Sequence, residues 1–361
     1  MAIALPELGV SAERLSPADA FTRLAAPFGE AARRLGSHVA DVTIAGVRIR
    51  FEFAGEAMRD RLLPALIGNG SAEALGEPPI GESHIVVRVW DCVSAGLAPE
   101  LPWRAEDLGP RGEIAAATSG SIRTAFTVGS SALSMLDLER GLGFFRARDA
   151  QALPWYERAA PFRTLLHWIL ESRGCRFVHA AAVATAHGGA LLAGRGGSGK
   201  STTAMLCVES GFSYAGDDYA GVTLDGAPAA HALFTTAKLS ASSLAWLPSI
   251  ASAVRVPPHA DEKGVAMIGE RFPGQIAPSF PLRAVIVPRV TGGTSRIERI
   301  GGGAALRALA PTTVLQLPGS GAAAFAHLAD LVRRLPAWSL DLGDDRAAIP
   351  GLVAHAIEES R

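Results

Sequence analysis

The chain has 361 residues, 48% of them hydrophobic, with 34 basic and 35 acidic side chains and a formal net charge of −1. This length points to two domains with substantial cores. The balanced charge argues against nucleic-acid and membrane-surface partners.

In chain order, residues 16–28 read as a helix and 39–44 and 47–53 as two strands around the Ala45-Gly46 turn. In the second strand Val47, Ile49, Phe51 and Phe53 alternate with Arg48, Arg50 and Glu52, the period of a half-exposed strand. A helix over 57–66 precedes a loop rich in Gly, Pro and Ser over 68–81 and a strand over 84–90. Residues 94–111 read as irregular, and 122–127, 132–138 and 143–147 as strands. The region up to residue 150 is therefore mixed, β-rich and, if its short turns are hairpins, largely antiparallel. It carries no catalytic motif.

Residues 153–173 read as one helix stopped at Gly174, followed by a strand over 176–184 that opens a second domain, 151–361. Within it the apolar run 190–193 leads into Gly194-Arg195-Gly196-Gly197-Ser198-Gly199-Lys200-Ser201, which fits the phosphate-binding P-loop pattern G-x-x-x-x-G-K-[ST]. A helix over 200–210 completes the strand, glycine turn and helix start that the motif requires. Lys200 then reaches the β/γ-phosphates of a nucleotide and Ser201 holds Mg²⁺. Gly194, Gly196 and Gly199 also fit a dinucleotide-binding G-x-G-x-x-G with an acid at Asp217, but that reading leaves Lys200-Ser201 unexplained.

Beyond the P-loop, strands read over 212–216, 219–224 and 229–235 and a helix over 241–247. Residues 254–274 read as mostly loop, 282–287 as a buried strand and 296–300 as a strand pairing beside it. Helices over 304–308, 325–335 and 347–358 and a strand over 339–342 finish the chain. Asp217-Asp218 would end a strand next to the P-loop strand, where an α/β sheet faces its ligand crevice. One carboxylate there can bind Mg²⁺ and the other can take a proton from an attacking hydroxyl. His179 sits in an apolar strand, where histidines are usually core residues. Lys238 and Lys263, and more weakly Arg289, are candidates to neutralise a γ-phosphate. Cys92, Cys175 and Cys207 fit neither a disulfide framework nor a zinc site. No stretch approaches the roughly 20 apolar residues of a membrane span, and the amino terminus lacks a signal-peptide pattern, so a cytoplasmic protein is expected.

His179-Ala180-Ala181, the P-loop and Gly216-Asp217-Asp218 together resemble HPr kinase/phosphorylase, over about 176–224. The segments 236–239, 261–263 and 281–289 resemble HPr-kinase-related proteins encoded beside ribosomal peptide-modification genes, lasso-peptide precursor kinases included. The resemblance implies an α/β P-loop kinase domain of the HPr kinase type behind a mixed, β-rich N-terminal domain, 1–150, that recognises the acceptor. It implies an ATP- and Mg²⁺-dependent serine kinase acting on a peptide or small protein, and it allows a homo-oligomer. Asp217 would accept the hydroxyl proton, with Asp218 and His179 supporting it and the metal, and Lys200, Lys238 and Lys263 acting on the phosphates. Gly194 through Thr202 would bind ATP, with Ser201 and Asp218 on the metal. The family carries Glu where Thr202 stands here. A small-molecule kinase and a nucleotide-binding regulatory module with little catalysis remain alternatives; the absence of an N-K-x-D stretch disfavours a guanine-nucleotide switch.

Overall fold

The computed structural model describes residues 15–66, 85–256, 263–319 and 321–360; the loop read over 68–81 lies outside them. The chain forms a mixed α/β architecture with sheets of six, nine and three strands, divided into two compact units. The seam falls between Ile169 and Leu170, later than the sequence break near 150, with Leu317–Gly319 returning to the first unit and Ala65 and Leu66 belonging to the second.

The first unit is built on β1 (Ser37–Ile44), β2 (Val47–Ala54), β3 (Ile85–Asp91), β4 (Ile122–Thr127), β5 (Ala132–Asp137) and β6 (Leu142–Ala147), in the order β1-β2-β3-β6-β5-β4. Ala45 and Gly46 both have positive φ (50° and 77°), the backbone of a two-residue hairpin turn whose twist suits its strands. The apolar side of β2 is buried as its alternation requires: Ile49, Phe51 and Phe53 are fully enclosed. The expectation of a largely antiparallel sheet needs correction, because β3 runs parallel to both neighbours, β2 and β6. Local patterning cannot distinguish these pairings, since parallel partners are joined by long connections. The helix read over 153–173 is two, Trp155–Ala159 and Arg163–Glu171. Pro161 disfavours helical backbone at Ala160, and Phe162 turns left-handed (φ 54°) between them.

The second unit holds β7 (Arg176–Val178), β8 (Ala180–Thr185), β9 (Gly188–Ala193), β10 (Ser213–Gly216), β11 (Ala220–Thr223) and β12 (Ala229–His231). It continues with β13 (Thr236–Leu239), β14 (Val254–Val256), β15 (Gly264–Met267), β16 (Ser279–Val290), β17 (Arg296–Ile300) and β18 (Ala337–Leu342). The large sheet runs β10-β8-β9-β16-β12-β11-β7, with β18 beside β16 and β17 beside β18. Thus β17 pairs with β18, not with β16 as expected. The described residues of 254–274 are not mostly loop, 257–262 lying outside them: β14 and β15 join β13 in a three-stranded sheet, and Ile268–Arg271 is a helical turn. Strands this short fall below the length at which alternation is readable. The helix Lys200–Glu209 buries Thr203, Ala204, Met205, Cys207 and Val208, and its core cluster includes Leu192, Ile286 and Leu340. No helix among the described residues is long and apolar enough to cross a membrane.

Leu192, in the middle of β9, is fully buried in this cluster. Leu192→Ala should therefore destabilise the protein by about 2–5 kcal/mol through lost burial and a residual cavity. Urea unfolding measures this; an unchanged transition midpoint would show that Leu192 is not part of a tightly packed core.

Candidate functional site

The P-loop spans the end of β9 and the start of the helix Lys200–Glu209. Gly199 precedes the helix with φ 97°, a left-handed backbone that favours glycine, and a Cβ there would also force Cδ1 of Leu342 to move. The helix start leaves backbone N–H groups without partners in its first turn, which suits an anion. Nζ of Lys200 donates to the carbonyls of Gly194 (2.6 Å) and Arg195 (3.2 Å). Burial pushes the Lys200 ammonium below its ordinary pKa; Asp217 and Asp218 pull it up, and Lys263 pushes it down further. Ser198 Oγ and Thr203 Oγ1 are buried without a hydrogen-bond partner.

Strand directions bring the acids and the histidine to the same edge. β8 is antiparallel to β9 on one side and to β10 on the other. The chain therefore leaves β9 at the P-loop, leaves β10 at Gly216-Asp217-Asp218 and enters β8 just after His179, all at one end of the sheet. The sequence expectation put the Asp pair on the strand adjacent to β9, but β8 lies between them. Nor does His179 sit within a continuous strand. It occupies the break where β7, paired with β11, gives way to β8. Its backbone N–H donates to Thr313 Oγ1 at 3.0 Å.

Asp218 links this edge to the small sheet. It has φ 73°, a left-handed backbone that Asp tolerates better than most residues and that recurs at functional sites. One carboxylate oxygen accepts from Nε2 of His179 (2.8 Å) and the other from Nζ of Lys238 on β13 (2.7 Å). Burial alone would raise its carboxyl, but the Lys238 ammonium and the His179 hydrogen bond outweigh it and hold it well below the usual carboxylate range. Asp217 is only 3% exposed. Its Oδ2 accepts from the backbone N–H of Lys238 at 3.0 Å, while its Oδ1 is buried without a partner. Tyr219 encloses the group: its ring meets His179 edge-on at 5.9 Å, with Lys238 Nζ 5.6 Å from its centroid.

A cavity of about 400 Å³ opens beside these residues. Gly197 through Thr202 line it, with Ser201 and Thr202 among them; Arg195 and Gly196 are exposed at the loop tip and Gly194 is buried. The whole chain has only three lysines, Lys200, Lys238 and Lys263, and all three line this cavity. Arg289 does not; it pairs with Asp341, as does Arg296. Sequence reasoning missed Ser243, which accepts from Thr202 Oγ1 at 3.0 Å, and the wall residues Trp246, Asp344 and Arg346. The scarcity of lysine is the signal that would have singled out Lys238 and Lys263 without any resemblance.

Among the described residues no three His, Cys, Asp or Glu side chains gather as a metal site. The arrangement still fits Mg²⁺ carried by a nucleotide, because that ion draws most of its ligands from phosphates and water and needs one or two protein oxygens. Ser201 lines the cavity, and Asp217 Oδ1 is an unpartnered buried oxygen nearby.

No family model matches the chain, and no curated protein matches it. Among solved structures it is similar to the Hpr(Ser) kinase/phosphatase from Coxiella burnetii, at 10% sequence identity, with 51% of this chain and 95% of that chain covered and a TM-score of 0.29. A likeness this slight does not bear on activity.

The depressed Asp218 carboxyl makes a stability prediction. A folded-state pKa below the ordinary 3.8 contributes stability that is complete above 3.8 and is lost as pH falls through the folded value. Asp218→Asn leaves Lys238 and His179 without their anion and should destabilise the protein by about 3 kcal/mol near neutrality. Urea unfolding across pH should show this deficit shrinking below pH 3.8. A deficit constant with pH would remove the ion pair as its cause.

Proposed function

We propose that this protein is an ATP-dependent kinase that transfers the γ-phosphoryl group to a serine hydroxyl of a peptide or protein. The observation that carries the reading is the meeting of the glycine-rich loop and all three lysines at one cavity, with Lys238 of its wall hydrogen-bonded to both Asp217 and Asp218. Lysines are otherwise absent from the chain, so their clustering answers a local demand for positive charge rather than general surface solvation.

In this reading the P-loop backbone and Lys200 hold the β- and γ-phosphates, which requires Lys200 to exchange its loop carbonyls for phosphate oxygens. The acceptor hydroxyl oxygen attacks the γ-phosphorus in line, and its proton passes to Asp217 Oδ1, the carboxylate oxygen that has no other partner. The bond from the γ-phosphorus to the bridging oxygen breaks, and ADP leaves. Lys238 and Lys263 offset the charge that spreads over the phosphoryl oxygens. Lys238 also sets both acids, its backbone N–H holding Asp217 and its ammonium holding Asp218. His179 fixes Asp218 from the other side. Bound Mg²⁺ would neutralise phosphate charge, held by Ser201 and, through water, by Asp218. With both oxygens already engaged, Asp218 suits a water-mediated contact better than a direct one.

Single-turnover transfer from labelled ATP separates these roles. Asp217→Asn should slow transfer roughly 10²–10⁴-fold, the usual contribution of a general base, with ATP affinity little changed. Lys200→Ala should weaken ATP binding itself. Transfer near the wild-type rate in folded Asp217→Asn protein would end the general-base assignment.

A further inference from the structure

Besides the glycines and lysines, the cavity wall carries Trp246, Val290, Leu342, Arg346 and Ile349, which phosphate binding leaves unused. Trp246 lies between the short helices Ala241–Leu244 and Pro248–Ala251 and is 54% exposed. Val290, at the end of β16, is 69% exposed. Apolar side chains left open on the wall of a cavity that also carries charged groups suit a flat apolar group. The guanidinium of Arg346 lies over the indole ring of Trp246. Its Nη1 is nonetheless buried without a hydrogen-bond partner. Aromatic rings and guanidinium planes are the two kinds of surface on which proteins stack nucleobases.

We propose that Trp246 is the nucleobase platform of this cavity, and that Arg346, which covers the indole face in the free protein, moves outward to become the second plate of the stack. The inference rests on the phosphate-site reading above and adds the base to it. The cavity then has a division of labour: glycines and lysines for the phosphates, Trp246 and Arg346 for the base. Stacking on an aromatic face tolerates any base, so this device supplies affinity for the nucleoside part and leaves discrimination between bases to hydrogen-bonding groups.

Calorimetric titration of the full chain with ATP and, separately, with inorganic tripolyphosphate tests the proposal. The wild-type protein should bind both. Trp246→Ala should lose roughly tenfold or more in ATP affinity, the scale of one base–aromatic stack, and keep its tripolyphosphate affinity. Trp246→Phe should retain most of the ATP affinity. If Trp246→Ala binds ATP as the wild type does, or loses both ligands equally, the platform assignment is wrong. If the wild type binds neither ligand, the phosphate-site reading fails and this inference falls with it. Indole fluorescence gives a readout that survives poor folding of the alanine variant. ATP, and not tripolyphosphate, should quench wild-type emission, and the quench should vanish in Trp246→Phe. An equal quench in both proteins would overturn the proposal.

Discussion

The pairing of β8 with two antiparallel neighbours is the constraint from which the site follows. Because β9 and β10 both run opposite to β8, the ends of β9 and β10 and the beginning of β8 share one edge of the sheet. Three successive strands of the chain therefore bring the P-loop, the Asp217-Asp218 pair and His179 to one edge. The backbone then tightens the arrangement, with Ala180 opposite Ala193 just before the glycines and Gly216 opposite Ala182 just before the acids. Asp218 ties that edge to β13 of the small sheet through Lys238, so a buried ion pair joins two separate sheets of the same unit. Buried pairs of this kind are weak sources of net stability, since desolvation offsets much of the attraction. Their use here is positional: the ammonium and the imidazole fix where the carboxylate points.

Charge distribution gives the cavity a predominantly basic wall within a nearly neutral chain. The formal net charge of the whole protein is −1, yet the cavity wall carries Lys200, Lys238, Lys263 and Arg346 against one carboxylate, Asp344. Burial of the Lys200 ammonium weakens its hold on its proton, a cost that an incoming phosphate removes. Ser198 Oγ, Thr203 Oγ1 and Arg346 Nη1, from three residues of the cavity wall, are buried without a hydrogen-bond partner. Buried polar groups are rarely left unmet in native structures, and a cluster of them around one cavity points to what binds there.

How much of this was legible in the sequence depended on how local each feature is. The P-loop is a backbone device encoded in eight consecutive residues, and its strand, turn and helix were readable directly. The Asp pair was legible as chemistry, but its place in the sheet was not, because strand adjacency is set by distant partners. His179 was read inside one strand, whereas the chain changes neighbours there and its side chain turns to Asp218. β13 and β15 are four residues each, too short for a periodicity, so the small sheet that carries Lys238 was missed. Trp246 and Arg346 are a hundred residues apart in sequence and meet only through the fold. In the first unit the alternation of β2 announced its buried face, while the parallel neighbours of β3 left no local mark.

The central claim is that this cavity passes a phosphoryl group from ATP to a hydroxyl of a peptide or protein. The most direct test follows the γ-label of ATP in the presence of Mg²⁺ and a panel of serine-containing peptides, with mass spectrometry locating the phosphate. The account predicts label on a serine side chain, appearing only when a peptide is present and in step with ADP formation. Label released only as inorganic phosphate, at a rate that no peptide changes, would contradict it and leave a nucleotide hydrolase or regulatory module in its place.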